Sequence, residues 1–344
     1  MGGLLSTKRL AMPQSLDHES SPSPLTAKRQ AKLGFSGVGK LVLPLFILTL
    51  AIVTGLIEPR FWSNENLLNL SRQLAALMVI SVGQTFAVIS GGLDLSITAA
   101  LALGGVYGVL VMNKLGLVAG VLAMLFTGVV FGFVNGLIVT LFRVSPFIVT
   151  LGTASIGRGL ALMATGGTPI YDVPEAFSNC FGYGFLLGLP APALMAGFTL
   201  LVGHVLLRHT VFGRYVYAIG SNIRAAFNSG VDVQLQMLLI YTLAGATAGI
   251  AAIVLTAWVE AAQPLAASGL ELQSIASVVV GGVALTGGTG NLLNTFYGVL
   301  ILGMLSNSLN MIGVSSFMQT LVIGLVIVVA VVLDRFRQRH NFDG

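Results

Sequence analysis

The chain has 344 residues, of which 55% are hydrophobic and only 8% charged, and its mean hydropathy is +0.92. A soluble domain carries charge on about a quarter of its residues, so this composition excludes an ordinary soluble protein and describes a membrane protein. Most of the basic residues behind the net charge of +5 stand near the chain ends or in one internal loop, which makes them a topology signal and not a surface for nucleic acid.

Lys8, Arg9, Lys28, Arg29, Lys32 and Lys40 lie in a Ser/Pro-containing segment, residues 1–40, that is too polar to pack. It reads as a loosely ordered cytoplasmic tail without a cleavable signal peptide, since the first apolar block begins only at Leu41. Ten apolar blocks follow, at residues 41–57, 73–90, 95–112, 116–142, 147–165, 190–207, 236–258, 271–286, 292–312 and 317–334. Each approaches the roughly 20 residues that cross a bilayer as a helix, and 116–142 is long enough to tilt. The alternation of membrane strands is missing. The expected fold is therefore all-α, a polytopic membrane protein of about ten transmembrane helices, with a transmembrane domain over 41–335 and a second cytoplasmic tail over 336–344.

An even number of spans puts both basic ends, including Arg335, Arg337 and Arg339, on the cytoplasmic side. Arg143 and the loop holding Arg208, Arg214 and Arg224 then fall inside, and the stretch 166–189, with Asp172 and Glu175 but no Lys or Arg, falls outside. Arg60, Arg72 and Lys114 go against this bias. The single cysteine, Cys180, excludes an intrachain disulfide and a cysteine-based metal cluster.

One motif is written twice. G-L-D-L-S-I-T-A-A-L-A-L-G-G-V from Gly92 aligns without a gap with G-L-E-L-Q-S-I-A-S-V-V-V-G-G-V from Gly269, and V-S-P-F-I-V-T-L from Val144 is echoed by V-S-S-F-M-Q-T-L from Val314. Asp94 follows two blocks and Glu271 follows seven, so the same motif enters the bilayer from opposite sides. Spans 2–5 and 7–10 therefore read as an inverted-topology repeat, a device that builds transporters around a pathway at the repeat interface.

Asp94 and Glu271 are expected as N-terminal helix caps, where a carboxylate accepts orphan N–H groups and complements the helix dipole; a proton or sodium site is the alternative. Arg158 is the one charge deep in a block. It is expensive in lipid and is expected to face the interior or a wet cavity, either as a pathway or gate residue or as a structural arginine. Gln84, Asn135, Asn307 and Asn310 are uncharged amides within blocks, suited to meeting a hydroxylated solute or to joining helices. Gln263 and Pro264, in the outer loop before block eight, are candidates for meeting a docked binding protein or for the outer gate.

In the basic loop F-G-R-Y-V-Y-A-I-G-S-N-I-R-A-A-F-N-S-G-V-D from Phe212, Ser221 or Asn222 caps a short helix through Ile223, Arg224, Ala225, Ala226 and Phe227. Gly230 ends it after Ser229. Such a helix presents Ala, Phe and Ile to a partner's groove. The glycine-rich G-G-T-G-N-L at 287–292 lacks the lysine of a Walker motif, and the histidines form no catalytic or metal-binding pattern. Energy for transport must then come from another polypeptide, or from an ion gradient if the chain is a secondary transporter of a small polar solute.

The G-G-L-D-L-S run from Gly91, the loop from Phe212, A-x-Q-P-x-A-x-x-G-L-E-L from Ala261 and the Gly-Gly-Val after it together resemble the ribose-type branch of bacterial ABC importer permeases. The resemblance runs from the first span to Asp334. It implies a non-enzymatic permease subunit in the bacterial inner membrane that moves a monosaccharide by alternating access. The implied partners are a second permease copy, ABC ATPase subunits that bind ATP-Mg, and a periplasmic sugar-binding protein, with no cofactor or metal in this chain. It also makes Asn222 to Gly230 the coupling helix that seats in the ATPase. The family often has Glu before Ala-Ala and Arg-Leu after it, whereas Arg224 precedes here and Phe227-Asn228 follow. The N-I-R-A-A-x-N-x-G pattern is similar to a subgroup linked to furanose sugars.

Overall fold

The computed structural model describes the backbone of residues 24–342, with side chains from Leu41 to Val326 and at Val328, Val329 and Val332. The basic residues before Leu41 and after Val332, on which the orientation of the chain ends rests, lie outside the residues whose side chains are described. The long helices are α1 (Pro24–Ile57), α2 (Asn64–Ile89), α3 (Ile97–Leu115), α4 (Leu117–Phe142) and α5 (Pro146–Thr165). After them come the one-turn α6 (Glu175–Phe177) and a small hairpin, β1 (Phe185–Leu186) with β2 (Leu189–Pro190). Then follow α7 (Ala191–His209), α8 (Val211–Ser221), α9 (Ile223–Asn228), α10 (Val233–Val259), α11 (Leu270–Val280), α12 (Leu292–Met311) and α13 (Ser316–Phe342).

Seven of these, α2, α3, α4, α5, α7, α10 and α12, are long and apolar enough to cross a membrane, and Leu41–Ile57, Leu270–Val280 and Ser316–Val326 are shorter apolar helices. Together they fall on the ten blocks read from the sequence, and the protein is an all-α polytopic membrane protein. The boundaries differ where polar chemistry extends or stops a helix. α2 starts well before residue 73, because the Ser63 hydroxyl accepts from Asn66 N at 3.2 Å and Glu65 occupies the first turn. α1 is helical from Pro24 and α13 continues to Phe342, so both enter the segments expected as tails.

The two repeated Gly-Gly-Val sequences end up in different structures. Gly104 and Gly105 lie inside α3, packed against Met124 of α4 and Ala252 and Thr256 of α10. Gly281 and Gly282 end α11, with Gly282 at a φ of 86°, a backbone that glycine adopts without strain. The helix therefore stops at Val280 and not at residue 286. Eleven residues rise only about 16 Å, and residues 281–291 continue without helix, with Gly281 against α12 and Gly287 and Gly288 against the end of α8.

Packing repeats what the sequence repeats. α3 packs on α4 and α5, as α11 packs on α12 and α13. The first helix of each repeat crosses the third helix of the other, α10 on α4 and α2 on α12, and α2 and α10 pack on each other. Exchanging the halves maps this pattern onto itself, as a pseudo-two-fold axis requires. The contact between α4 and α10 is backbone on backbone: a Cβ at Gly128 would overlap the Gly245 carbonyl oxygen, and one at Gly132 the Tyr241 carbonyl oxygen. Helices this close leave no channel between them. The repeat interface is thus closed along α4 and α10, where Gly128, Gly132, Gly245 and Gly249 let the two backbones meet.

Candidate functional site

Functional candidates gather at three places. The first is α9. Asn222 closes α8, its N–H donating to Ala218 O, and opens α9, its side chain accepting from Arg224 N at 3.1 Å and Ala225 N at 3.0 Å. The two helices are connected by this single extended residue, which caps both. Ser229 closes α9 and Gly230, at a φ of 84°, turns the chain toward α10. Ala226 is buried against the body, while Phe227 and Ile223 are 68% and 52% exposed. The sequence anticipated a short capped helix offering Ala, Phe and Ile; Phe227 and Ile223 are open while Ala226 packs inward, and Asn222, not Ser221, is the cap.

α8 holds α9 to the body. Val216 and Ile219 are buried, and the Tyr217 hydroxyl donates to Gly290 O at 2.8 Å. Burial pushes the Tyr217 phenol above its ordinary value, against a smaller opposing effect of the Arg208 charge, so it remains a donor at physiological pH.

The second place is where the equivalent helices of the two repeats meet. Arg158 of α5 donates through Nη2 to Glu271 Oε1 at 3.1 Å, and Thr98 Oγ1 donates to Glu271 Oε2 at 2.9 Å. Glu271 Oε2 also accepts from Gly269 N at 2.9 Å, so the carboxylate caps the start of α11 by reaching back. The first turns of α3 and α11 thus touch through Thr98 and Glu271. Arg158 lies twelve residues into α5, about 18 Å along it, which puts Glu271 inside the bundle and not at a span end. Sequence reasoning named Arg158 and Glu271 separately; it had no means of pairing them, and Thr98 carried no signal at all.

The third place is the turn before α3. Asp94 is buried at 1% exposure, and its Oδ1 accepts from Ser96 N at 2.9 Å and from Ser96 Oγ at 2.6 Å. Ser96, not Asp94, occupies the cap position. Asn135 Nδ2 donates to Ser96 Oγ at 2.7 Å. With its amide nitrogen turned toward the Asp94 carbonyl, the orientation that satisfies both groups, Gln84 donates to that carbonyl at 2.9 Å and accepts from the Asp94 N–H at 3.3 Å. Two candidate pathway amides, Gln84 and Asn135, therefore fasten this turn to α2 and α4. Equivalent acids serve differently in the two repeats: Asp94 shapes a turn three residues before its helix, and Glu271 sits within its first turn.

Asn307 exchanges two hydrogen bonds with Asn66, at 3.0 and 3.3 Å, and joins α12 to α2. Asn310 is exposed at the end of α12. Gln263 is half-buried beside the bridge between Ile170 and Ala262, away from Arg158 and α9 in the chain's hydrogen-bond network. The structure thus brings Gln84, Asp94 and Asn135 together, and Arg158 with Glu271, while leaving Gln263, Asn307 and Asn310 apart. Among the described residues no three His, Cys, Asp or Glu side chains converge as a metal site would need.

Comparison with known proteins places these features in a family. Residues 66–331 match the family model described as branched-chain amino acid transport system / permease component. The ribose import permease protein RbsC of Bacillus subtilis is 42% identical over 310 residues, 89% of this chain and 96% of the relative. The ribose import permease protein RbsC of Escherichia coli is 37% identical, covering 85% of this chain and 92% of its own. The L-arabinose transport system permease protein AraH of Escherichia coli is 35% identical, covering 84% and 88%. No solved structure matches the chain.

Proposed function

The chain belongs to the branched-chain amino acid transport system / permease component family, and on that premise we propose that it is the membrane subunit of an ATP-binding-cassette importer for a monosaccharide. Relatives named for ribose, allose and arabinose transport support a small neutral sugar as cargo. The chain performs no bond chemistry. Its work is to present alternating access, with ATP-Mg bound by separate ATPase subunits and sugar delivered by a periplasmic binding protein. The membrane is the bacterial inner membrane, with both termini and α9 on its cytoplasmic side.

The observation that carries this reading is α9. Phe227 and Ile223 stand out on a capped helix that continues directly from α8, a shape suited to a groove on an ATPase. Because α4 and α10 close the interface between repeats, the pathway runs between two copies of the permease. α5 and α13, the last helix of each repeat, carry open surface: Gly152 and Gly159 face open space, and Ile156, Met163, Phe317 and Leu321 are exposed. They supply surface for the second copy and for lipid. Arg158 and Glu271 form a latch near that surface, with Arg158 about one-third exposed.

Proteoliposomes holding the permease, its ATPase subunits and its binding protein test the reading. Sugar uptake is expected to require ATP and all three components, and Phe227→Glu is expected to release the ATPase subunits. Uptake by the permease alone, driven by a proton or sodium gradient, would establish the ion-coupled alternative. That alternative is disfavoured by geometry, since Asp94 and Glu271 are both engaged by protein donors.

A further inference from the structure

The glycine-rich segment 287–290 carries no phosphate-binding lysine, yet its backbone packs closely against the ends of α2 and α8. Gly288 N donates to Ile89 O, the last residue of α2, at 2.8 Å. Gly220 of α8 lies on the same pair of atoms: a Cβ there would overlap Ile89 O and stand 2.5 Å from Gly288 N. Gly287 faces Gly91 N and Gly220 O, and Gly288 faces Ser221. The Tyr217 hydroxyl ties α8 to Gly290 O one residue before Asn291, which caps α12 through Asn294 N at 2.8 Å. Three backbones from three parts of the chain therefore meet without side chains between them: the end of α2 in the first repeat, α8 in the connecting segment, and the entry to α12 in the second.

We propose that this junction is the joint through which a displacement of α9 reaches both repeats at once, with Gly220, Gly288 and Tyr217 as its positioning residues. The inference rests on the reading of α9 as the ATPase seat. α9 is tied to α8, because Asn222, the one residue between them, caps both and the two helices pack on each other. α8 in turn bears by backbone on α2 and by Tyr217 on the segment leading to α12. Backbone contacts transmit displacement where longer side chains would bend out of the way. α2 and α12 themselves cross each other, so a push at their shared end is delivered to both repeats.

The complete transporter in proteoliposomes provides the test, read as sugar molecules imported per ATP hydrolysed. Gly220→Ala is expected to lower this ratio about tenfold or more while the ATPase subunits stay bound. Tyr217→Phe removes only the bond to Gly290 O at nearly constant volume, and is expected to lower the ratio by about threefold to tenfold. A purely structural role would reduce the amount of complex and leave the ratio unchanged. An unchanged ratio in Tyr217→Phe overturns the joint, whether or not Gly220→Ala assembles. Phe227→Glu separates the two ideas: if it retains the ATPase subunits, the reading of α9 fails, and if it loses them while Tyr217→Phe keeps a normal ratio, the joint alone fails.

Discussion

Arg158 and Glu271 stand 3.1 Å apart although one lies in the last helix of the first repeat and the other at the start of the second helix of the second. Among the described residues the pair is the ion pair between the repeats, which also meet through hydrogen bonds such as Asn66–Asn307 and Thr85–Thr295 and through glycines and apolar side chains. Thr98 completes it from α3. A charge at this depth is tolerated because its partner is present.

Removing one partner strands the other. Arg158→Met leaves Glu271 with Thr98 and Gly269 N only, and is expected to lower stability by about 1–3 kcal/mol, discounted for the partial exposure of the guanidinium. Glu271→Gln is expected to cost a similar amount, and the double variant less than the sum. Thermal unfolding of the four proteins in one detergent gives the coupling; strictly additive losses would show the ion pair to be energetically idle.

Asn222 has two duties in one residue. Asn222→Ala removes the acceptor for Arg224 N and Ala225 N and is expected to cost α9 about 1 kcal/mol, which speeds hydrogen exchange at those two amides by about fivefold. Exchange mass spectrometry over the peptide 222–231 reads this directly. Protection equal to wild type would mean that α9 is held by its contacts with α8 and α10 and not by its cap.

Glycines differ sharply in what they tolerate. Gly128→Ala drives a methyl into the Gly245 carbonyl of α10 and is expected to destabilise by about 1–3 kcal/mol or more. Gly152→Ala meets nothing within 4 Å and is expected to be neutral or to stabilise α5 by up to about 1 kcal/mol. Unfolding midpoints and the yield of monodisperse protein compare the two, and equal behaviour would refute the close α4–α10 contact.

Much of the architecture was legible in one dimension because lipid imposes a simple rule: backbone polar groups must be satisfied within each crossing segment, so apolar blocks become helices. The short α9 was legible for a similar reason, since Asn222 and Gly230 are local signals whose partners lie two to four residues away. The amides were read as joining helices or meeting a solute, without their partners. Gln84, Asn135 and Asn307 look alike in sequence as polar groups in apolar blocks, and only their neighbours assign them to bracing: Asp94 for Gln84, Ser96 for Asn135, Asn66 for Asn307. Asn310 differs from Asn307 by three positions yet is exposed, because α12 ends beside it.

Chain order alone set the membrane class, the ten apolar helices and the duplicated motif, since these depend on composition and on interactions within a few residues. Tertiary structure decided that Gly104-Gly105 continue a helix while Gly281-Gly282 end one, that Arg158 finds Glu271, and that Gly220 seals three backbones together. Those outcomes depend on which surfaces close around each residue, and a surface contributed by a segment a hundred or more positions away leaves no mark on the local pattern.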